Sequence, residues 1–413
     1  VSGMVAAREL ASQGYQTFLL EKGDHLGGNG LKLNPSSEGQ DRQASIRALI
    51  KDVEADQDIE ILKRASLVST TGSVGNFESQ VEVQGQTRTL SYGIAIVATG
   101  AAEHKPNQYL YGQSHRVQTH LEYDELICSD PDRVQSMHSV AFIQCVGSRV
   151  PERPYCSRIC CTHTMEQAIV LKERNPEMKV TVLYRDIRTY GKREDLFTRA
   201  RKLGVIFIRY DLEHCPKVEE AGDGLEIQAF DPILLREVTV QADHLVLASA
   251  VVPHDNSELV DLYKCGLNED GFINEAHPKL RPVDMSVDGL FVAGLCNYPK
   301  PIDESISQAK AAVSRAGVLL SQQALKLDAV KSYVTENCDG CALCVDVCPY
   351  KAISLENYEQ DGQRHSRVAV DKALCKGCGL CEATCPKDGI LVHGFTVDQL
   401  RVQLDAVLSG SDA

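Results

Sequence analysis

At 413 residues, with 43% hydrophobic and 24% charged side chains, the chain exceeds what one hydrophobic core usually organises, so two or three globular domains are expected. Its formal charge of -14 argues against a general nucleic-acid binder, because phosphate contacts need clustered Lys and Arg. The longest apolar runs, such as 94–98 and 311–320, fall far short of the ~20 residues that span a bilayer, and no basic stretch followed by an apolar core is seen at the start.

In chain order, Met4, Val5, Ala7, Leu10 and Ala11 recur at helical spacing and predict a helix over 2–12 that stops at Gly14. Strands are expected over 17–21 and over 93–98, the second running into Thr99-Gly100-Ala101. A strand over 139–144, a helix around 164–172, a strand over 179–184 and a helix over 195–203 follow. Strands over 244–248 and 289–293 come next, the latter leading into an Ala-rich helix over 305–323. This alternation predicts an α/β architecture with parallel sheets. After Lys331 the texture changes to cysteine-rich loops, and a domain boundary is expected there.

The opening Val1-Ser2-Gly3-Met4-Val5-Ala6-Ala7 followed by Glu21 resembles the tail of a G-x-G-x-x-G dinucleotide fingerprint, with Gly3 as third glycine and Glu21 as the ribose-binding acid. The strand and two glycines that would open such a unit do not precede Gly3 in this sequence. Glu21-Lys22-Gly23 with Gly27-Gly28-Asn29 is similar to the segment by which flavoproteins with two dinucleotide-binding domains pass from ribose to isoalloxazine. Ala98-Thr99-Gly100 is similar to their A-T-G turn, and 289–294 to the strand that brings backbone amides to the flavin. That resemblance implies FAD at Gly3, Glu21, Lys22, Gly27, Gly28, Asn29, Ala98, Thr99, Gly100 and Gly294. It also implies a helix N-terminus near Gln308 that faces the flavin pyrimidine, with Cys296 as a candidate contact.

A second glycine fingerprint would be expected after the strand over 139–144. The chain instead reads Cys145-Val146-Gly147-Ser148-Arg149, then Tyr155-Cys156-Ser157-Arg158-Ile159-Cys160-Cys161. By spacing, these four thiols are open to two readings, a further metal cluster at a helix start or buried small hydrophobes. Cys128, Cys215 and Cys265 stand alone and read as structural. His104, His163 and His254 read as satisfied surface or core residues, and Lys192 and Arg193 as a solvated charged loop.

The C-terminal run is specific. Cys338-x2-Cys341-x2-Cys344-x3-Cys348-Pro349 and Cys375-x2-Cys378-x2-Cys381-x3-Cys385-Pro386 carry the two-cluster ferredoxin spacing. Cys338, Cys341, Cys344 and Cys385 are expected to hold one 4Fe-4S cluster, and Cys375, Cys378, Cys381 and Cys348 the other. Structural zinc needs fewer cysteines than each run supplies, and disulfides need an oxidising compartment; the cytoplasm is the default.

The strings 144–149, 155–161 and Tyr184-Arg185-Asp186-Ile187-Arg188 resemble the A subunit of heterodisulfide reductases, and the resemblance extends over nearly the whole chain. It implies a thioredoxin-reductase-like fold of two dinucleotide-binding-type domains plus a C-terminal two-cluster ferredoxin-like α+β domain. It further implies a third cluster on Cys145, Cys156, Cys160 and Cys161. The expected divisions are an FAD-binding domain over 1–110 and 251–328, and a second nucleotide-binding-like domain over 111–250. The ferredoxin-like domain then covers 329–395 and a tail 396–413. The implied function is an oxidoreductase subunit linking two-electron flavin and one-electron cluster chemistry, flavin-based electron bifurcation included. Other redox subunits, and a ferredoxin, hydrogenase or dehydrogenase as electron donor, are the implied partners. The alternative is an NAD(P)H-dependent flavoprotein resembling the small subunit of glutamate synthase.

Overall fold

Strand Ser139–Val146 is buried from Val140 to its end, the unbroken apolar run of a strand covered on both faces. In the computed structural model, which describes residues 1–34, 41–324, 330–360 and 363–409, it forms the centre of a five-stranded parallel sheet. The order is Ile206–Arg209, Lys179–Tyr184, Ser139–Val146, His244–Ser249, Val117–Thr119. One face packs on helices His120–Ser129 and Cys160–Arg174 through Tyr123, Ile127, Met165 and Ile169. The other packs on an antiparallel meander, Lys217–Ala221, Gly224–Asp231 and Arg236–Ala242. The middle strand of that meander alternates buried and half-buried residues, sending Leu225, Ile227 and Ala229 to the core at period two.

The segments on either side of this sheet build a second unit. Helix Ser2–Ala11 lies against helix Ile302–Leu320, with Val5, Ala6 and Leu10 meeting Ala309, Ala312, Val313 and Ala316. Thr17–Glu21 pairs in parallel with Ile59–Lys63, and Ala95–Val97 with Leu290–Val292. A second meander comprises Ala65–Ser73, Asn76–Val83 and Gln86–Tyr92. Ala101–Glu103 pairs with Val251–Pro253, tying the two crossings between the units together.

The cysteine-rich end has strand pair Ser332–Val334 with Ile390–Val392, hairpin Ile353–Gln360 with Gln363–Val370, and short helices Leu343–Asp346 and Leu380–Thr384. Leu374 and Cys375 join Val97, Val292 and Cys296 in one hydrophobic cluster, so this end rests directly on the strands of the second unit. Lys376 also ion-pairs with Asp288.

Several bounds differ from the sequence-based expectation. The helix placed around 164–172 begins at Cys160, and the Ala-rich helix runs Ile302–Leu320. The tail is helix Val397–Ser409 within its described part, and residues 410–413 lie outside it. The expected boundary between 328 and 329 also falls outside the described residues. No helix among the described residues is long and apolar enough to cross a membrane.

Candidate redox site

The N-terminus of helix Ser2–Ala11 has no side-chain cap, leaving its first amides and the positive end of its dipole for a ligand. A Cβ on Gly3 would lie 3.6 Å from both Ala98 and Leu19, so Gly3 sits between strand Thr17–Glu21 and the turn after Ala95–Val97. Gly294 has φ 84, and a Cβ there would lie 2.4 Å from Ser2 Oγ; only glycine fits. Glu21, closing its strand, accepts a hydrogen bond from Gly23 N at 2.8 Å. Asn29 Nδ2 donates to Ala101 O at 3.1 Å, drawing the loop around Gly27 and Gly28 toward the turn at Ala98, Thr99 and Gly100. Beside Gly28 and Gly100 nothing lies within 4 Å of where a side chain would stand. This open cradle next to an uncapped helix fits a dinucleotide. Thr99 Oγ1 turns to Asn256 Oδ1 at 2.9 Å, and Lys22 is exposed.

Three side chains at this cleft behave differently from expectation. Gln308 Oε1 itself takes the Gly294 amide at 2.8 Å, so that N–H is satisfied within the protein. Cys296 is fully buried with Sγ 3.4 Å from Val97 O and 3.3 Å from Ala293 O; its thiol is turned into the core. Arg193 is no solvated loop charge: it lies 5.1 Å from the Tyr190 ring centre and pairs with Asp303 at 2.7 Å, in the first turn of Ile302–Leu320.

Sequence reasoning missed Asn297 and Lys300. Buried Lys300 donates to Gly294 O at 3.0 Å, Asn297 Oδ1 at 3.0 Å and Gln308 Oε1 at 2.8 Å. Burial pulls its ammonium down to about 8, because desolvation penalises the charged form. The signal in the sequence was a lone lysine between a buried strand and a helix start, which by itself reads as a surface charge.

At the C-terminal end of Ser139–Val146, where ligands of open α/β sheets bind, the chain winds tightly. Cys145, Gly147 and Arg149 all have positive φ, at 60, 73 and 57, and for the two non-glycines this costs roughly 1–2 kcal/mol each. Arg149 N donates to Tyr155 O at 3.0 Å and pulls the loop back, and Arg158 N donates to Cys156 Sγ at 3.3 Å. Helix Cys160–Arg174 then begins with no side-chain cap, its first two residues being buried cysteines. Cys160 and Cys161 both lie within electrostatic reach of Cys145 and Cys156. Burial first, then Cys161, Cys145 and Cys156, push the Cys160 thiol well above its ordinary value. Burial likewise pushes Cys161 up to about 11, with Cys145 and Cys156 adding to it. The loop is tied to the cleft as well, since Arg158 bonds Pro299 O at 3.2 Å and Glu304 at 2.9 Å.

The C-terminal cysteines line two recesses. Cys338, Cys341, Cys344 and Cys385 share one of about 300 Å³, and Cys348, Cys375, Cys378 and Cys381 share one of about 290 Å³. Each therefore takes three cysteines from one run and the fourth from the other, the donor set of a two-cluster ferredoxin. Among the described residues no three His, Cys, Asp or Glu side chains close on a single ion. A cubane gives each thiolate a different iron, so its four ligands need not close on one ion. Amides point at the sulfurs: Ala352 N lies 3.3 Å from Cys348 Sγ, Gly389 N 3.2 Å from Cys385 Sγ, and Ser332 N 3.4 Å from Cys375 Sγ. Burial opposes the Cys375 thiolate, but the Ser332 and Gly377 amides outweigh it and hold the thiol below its usual range. At Gly377, with φ 63, a Cβ would meet Val330 O at 2.5 Å.

A family model for a 4Fe-4S dicluster domain matches residues 337–388, and one for pyridine nucleotide-disulphide oxidoreductases matches 1–133. One of the two iron-sulfur A subunits of the CoB--CoM heterodisulfide reductase of Methanopyrus kandleri is 30% identical over 458 residues, covering 88% of this chain and 69% of that protein. The A subunit of the H(2):CoB-CoM heterodisulfide,ferredoxin reductase of Methanothermobacter marburgensis is 33% identical over 70% of this chain and 46% of its own length. Among solved structures, Lactococcus lactis thioredoxin reductase matches 78% of this chain and 96% of its own at TM-score 0.53 and 17% identity, a likeness of fold. The domain matches make the chain an electron-transfer oxidoreductase of flavin and iron-sulfur type. With a thioredoxin-reductase-like fold, a C-terminal dicluster domain and this identity across most of the Methanopyrus protein, the chain belongs to the family of heterodisulfide reductase A subunits.

Proposed function

We propose that the chain converts between two-electron and one-electron transfer inside a heterodisulfide-reductase-type complex, holding one FAD and three 4Fe-4S clusters. When bound, FAD supplies a centre that takes up two electrons together and releases them singly, as each cubane requires. Gly3, Gly28, Ala98, Gly100 and Gly294 would shape the dinucleotide cradle, with Glu21 toward the ribose. The buried Lys300, fixed by Gln308 and Asn297, holds its ammonium beside Gly294, where it would offer charge to a flavin bound in the cradle. Cys296 is assigned to the core.

The carrying observation is that Cys375 packs in one cluster with Val97, Val292 and Cys296. It supports reading the recess of Cys348, Cys375, Cys378 and Cys381 as the inner station and that of Cys338, Cys341, Cys344 and Cys385 as the outer. The loop that carries the middle thiols is tied to the same cleft through Arg158 and Pro299. Two one-electron exits from one two-electron centre is the arrangement flavin-based bifurcation needs. Partner subunits would then carry the terminal chemistry, with ferredoxin and a hydrogenase or dehydrogenase as donors or acceptors. An NAD(P)H-dependent flavoprotein would have its glycine fingerprint after Ser139–Val146, where this chain has the thiol loop.

The order of the stations is testable. In Cys375→Ala, the outer cluster is expected to lose its fast reduction from the flavin, read by freeze-quenched electron paramagnetic resonance, while the flavin itself is still reduced. Wild-type reduction of the outer cluster without the inner one would refute that order.

A further inference from the structure

Arg185 directly follows strand Lys179–Tyr184 and is only 8% exposed. Its guanidinium donates to Ser148 O at 2.6 Å and Arg149 O at 2.8 Å, gripping the loop that leads away from Cys145. Its Nε is buried with no hydrogen-bond partner. Arginine stays protonated in proteins, and a buried cation without a counter-charge is strongly unfavourable. Among the described residues no carboxylate pairs with it. The adjacent Asp186 is occupied by Arg149 at 2.6 Å and Arg188 at 3.5 Å. Tyr109 and Tyr210 feel the Arg185 charge, yet burial raises both phenols, so they stay neutral and supply no counter-charge. Tyr210 instead donates its hydroxyl hydrogen to Gln144 O at 2.6 Å, next to Cys145.

A missing negative charge at a site with four converging thiols has a natural source. A cubane on four thiolates is anionic in both its redox states, and it becomes more so when it gains an electron. We propose that Arg185 is the buried counter-charge of the group held by Cys145, Cys156, Cys160 and Cys161, and that it raises that group's reduction potential. Arg185 is a positioning residue: it acts through its field and through the Ser148–Arg149 loop. Arg149 adds to the same field, its guanidinium standing 3.8 Å from Cys145 Sγ, but Asp186 largely neutralises it. The inference rests on the reading of these four cysteines as cluster ligands.

The test is an anaerobic potentiometric titration of the full chain with dithionite, followed by electron paramagnetic resonance, on wild type, Arg185→Lys and Arg185→Gln, each with its iron content measured. Arg185→Gln is expected to make the middle cluster at least tenfold harder to reduce, about 59 mV more negative for one electron. Arg185→Lys, which keeps the charge, is expected to stay near wild type. Loss of the middle cluster's iron in Arg185→Gln alone, with retention in Arg185→Lys, also supports the charge role. A wild-type potential in Arg185→Gln, or equal loss of iron in both variants, overturns it. Wild-type protein with no middle-cluster signal would instead sink the ligand reading beneath it.

Discussion

Cys160→Ala is expected to lower bound iron from about twelve to about eight atoms per chain, leaving the flavin absorbance in place. Cys160 opens helix Cys160–Arg174, is buried, and has Cys145, Cys156 and Cys161 close enough to perturb it. An alanine there removes one corner of the donor set and leaves no oxygen or nitrogen to replace it. Iron, sulfide and flavin assays with low-temperature electron paramagnetic resonance read the result. Cys215→Ala serves as control, because that cysteine is exposed and belongs to none of the three donor sets, and its iron content should match wild type. Unchanged iron in Cys160→Ala would mean that the middle thiols are structural.

His163→Leu is expected to destabilise the central unit by about 3 kcal/mol, since it removes the cationic partner of a buried carboxylate and leaves it the Gln167 Nε2 hydrogen bond at 2.7 Å. His163 Nε2 lies 2.7 Å from Asp124 Oδ2, and Asp124 is fully buried. Burial works against the charged imidazole, and Asp124, through its charge and this hydrogen bond, outweighs burial and raises His163 above its ordinary 6.5. A raised folded pKa means that the contribution is fully present below about pH 6.5 and is lost as pH rises through the folded value. Chemical denaturation of wild type and variant should therefore show the largest gap at acidic pH and a smaller one in mild alkali. A gap constant across that range would show that His163 contributes packing and no charge. The neighbouring His120 follows the opposite course, pushed well below its ordinary value by burial and then by His163.

What could be read in the sequence was what is encoded locally. The ferredoxin cysteines repeat within a few residues, and strands Thr17–Glu21 and Lys179–Tyr184 run as expected at both ends because their apolar runs are short and sharply bounded. Helix Arg42–Ala55 was missed although Ile46, Leu49, Ile50 and Val53 recur at helical spacing and pack into one cluster. Strand Gln86–Tyr92 buries only Leu90, so its alternation is faint. The helix start expected at the paired cysteines falls at Cys160, although it carries none of the usual capping side chains. The site residues that were missed all depend on distant contacts. Nothing local distinguishes the buried Lys300 and Arg185 from surface charges, and Cys296 looked like a cleft residue until the carbonyls of Val97 and Ala293 placed its thiol in the core. Arg193 needed Tyr190 and Asp303, more than 100 residues away for the latter, to become an ordered contact between the two nucleotide-type units.

The central claim is that one flavin and three cubanes share this chain, and the most direct measurement is the cofactor content of anaerobically purified protein. About twelve iron atoms, an equal amount of acid-labile sulfide and one FAD per chain are expected. Zinc in place of iron, or protein without a flavin band, would contradict it.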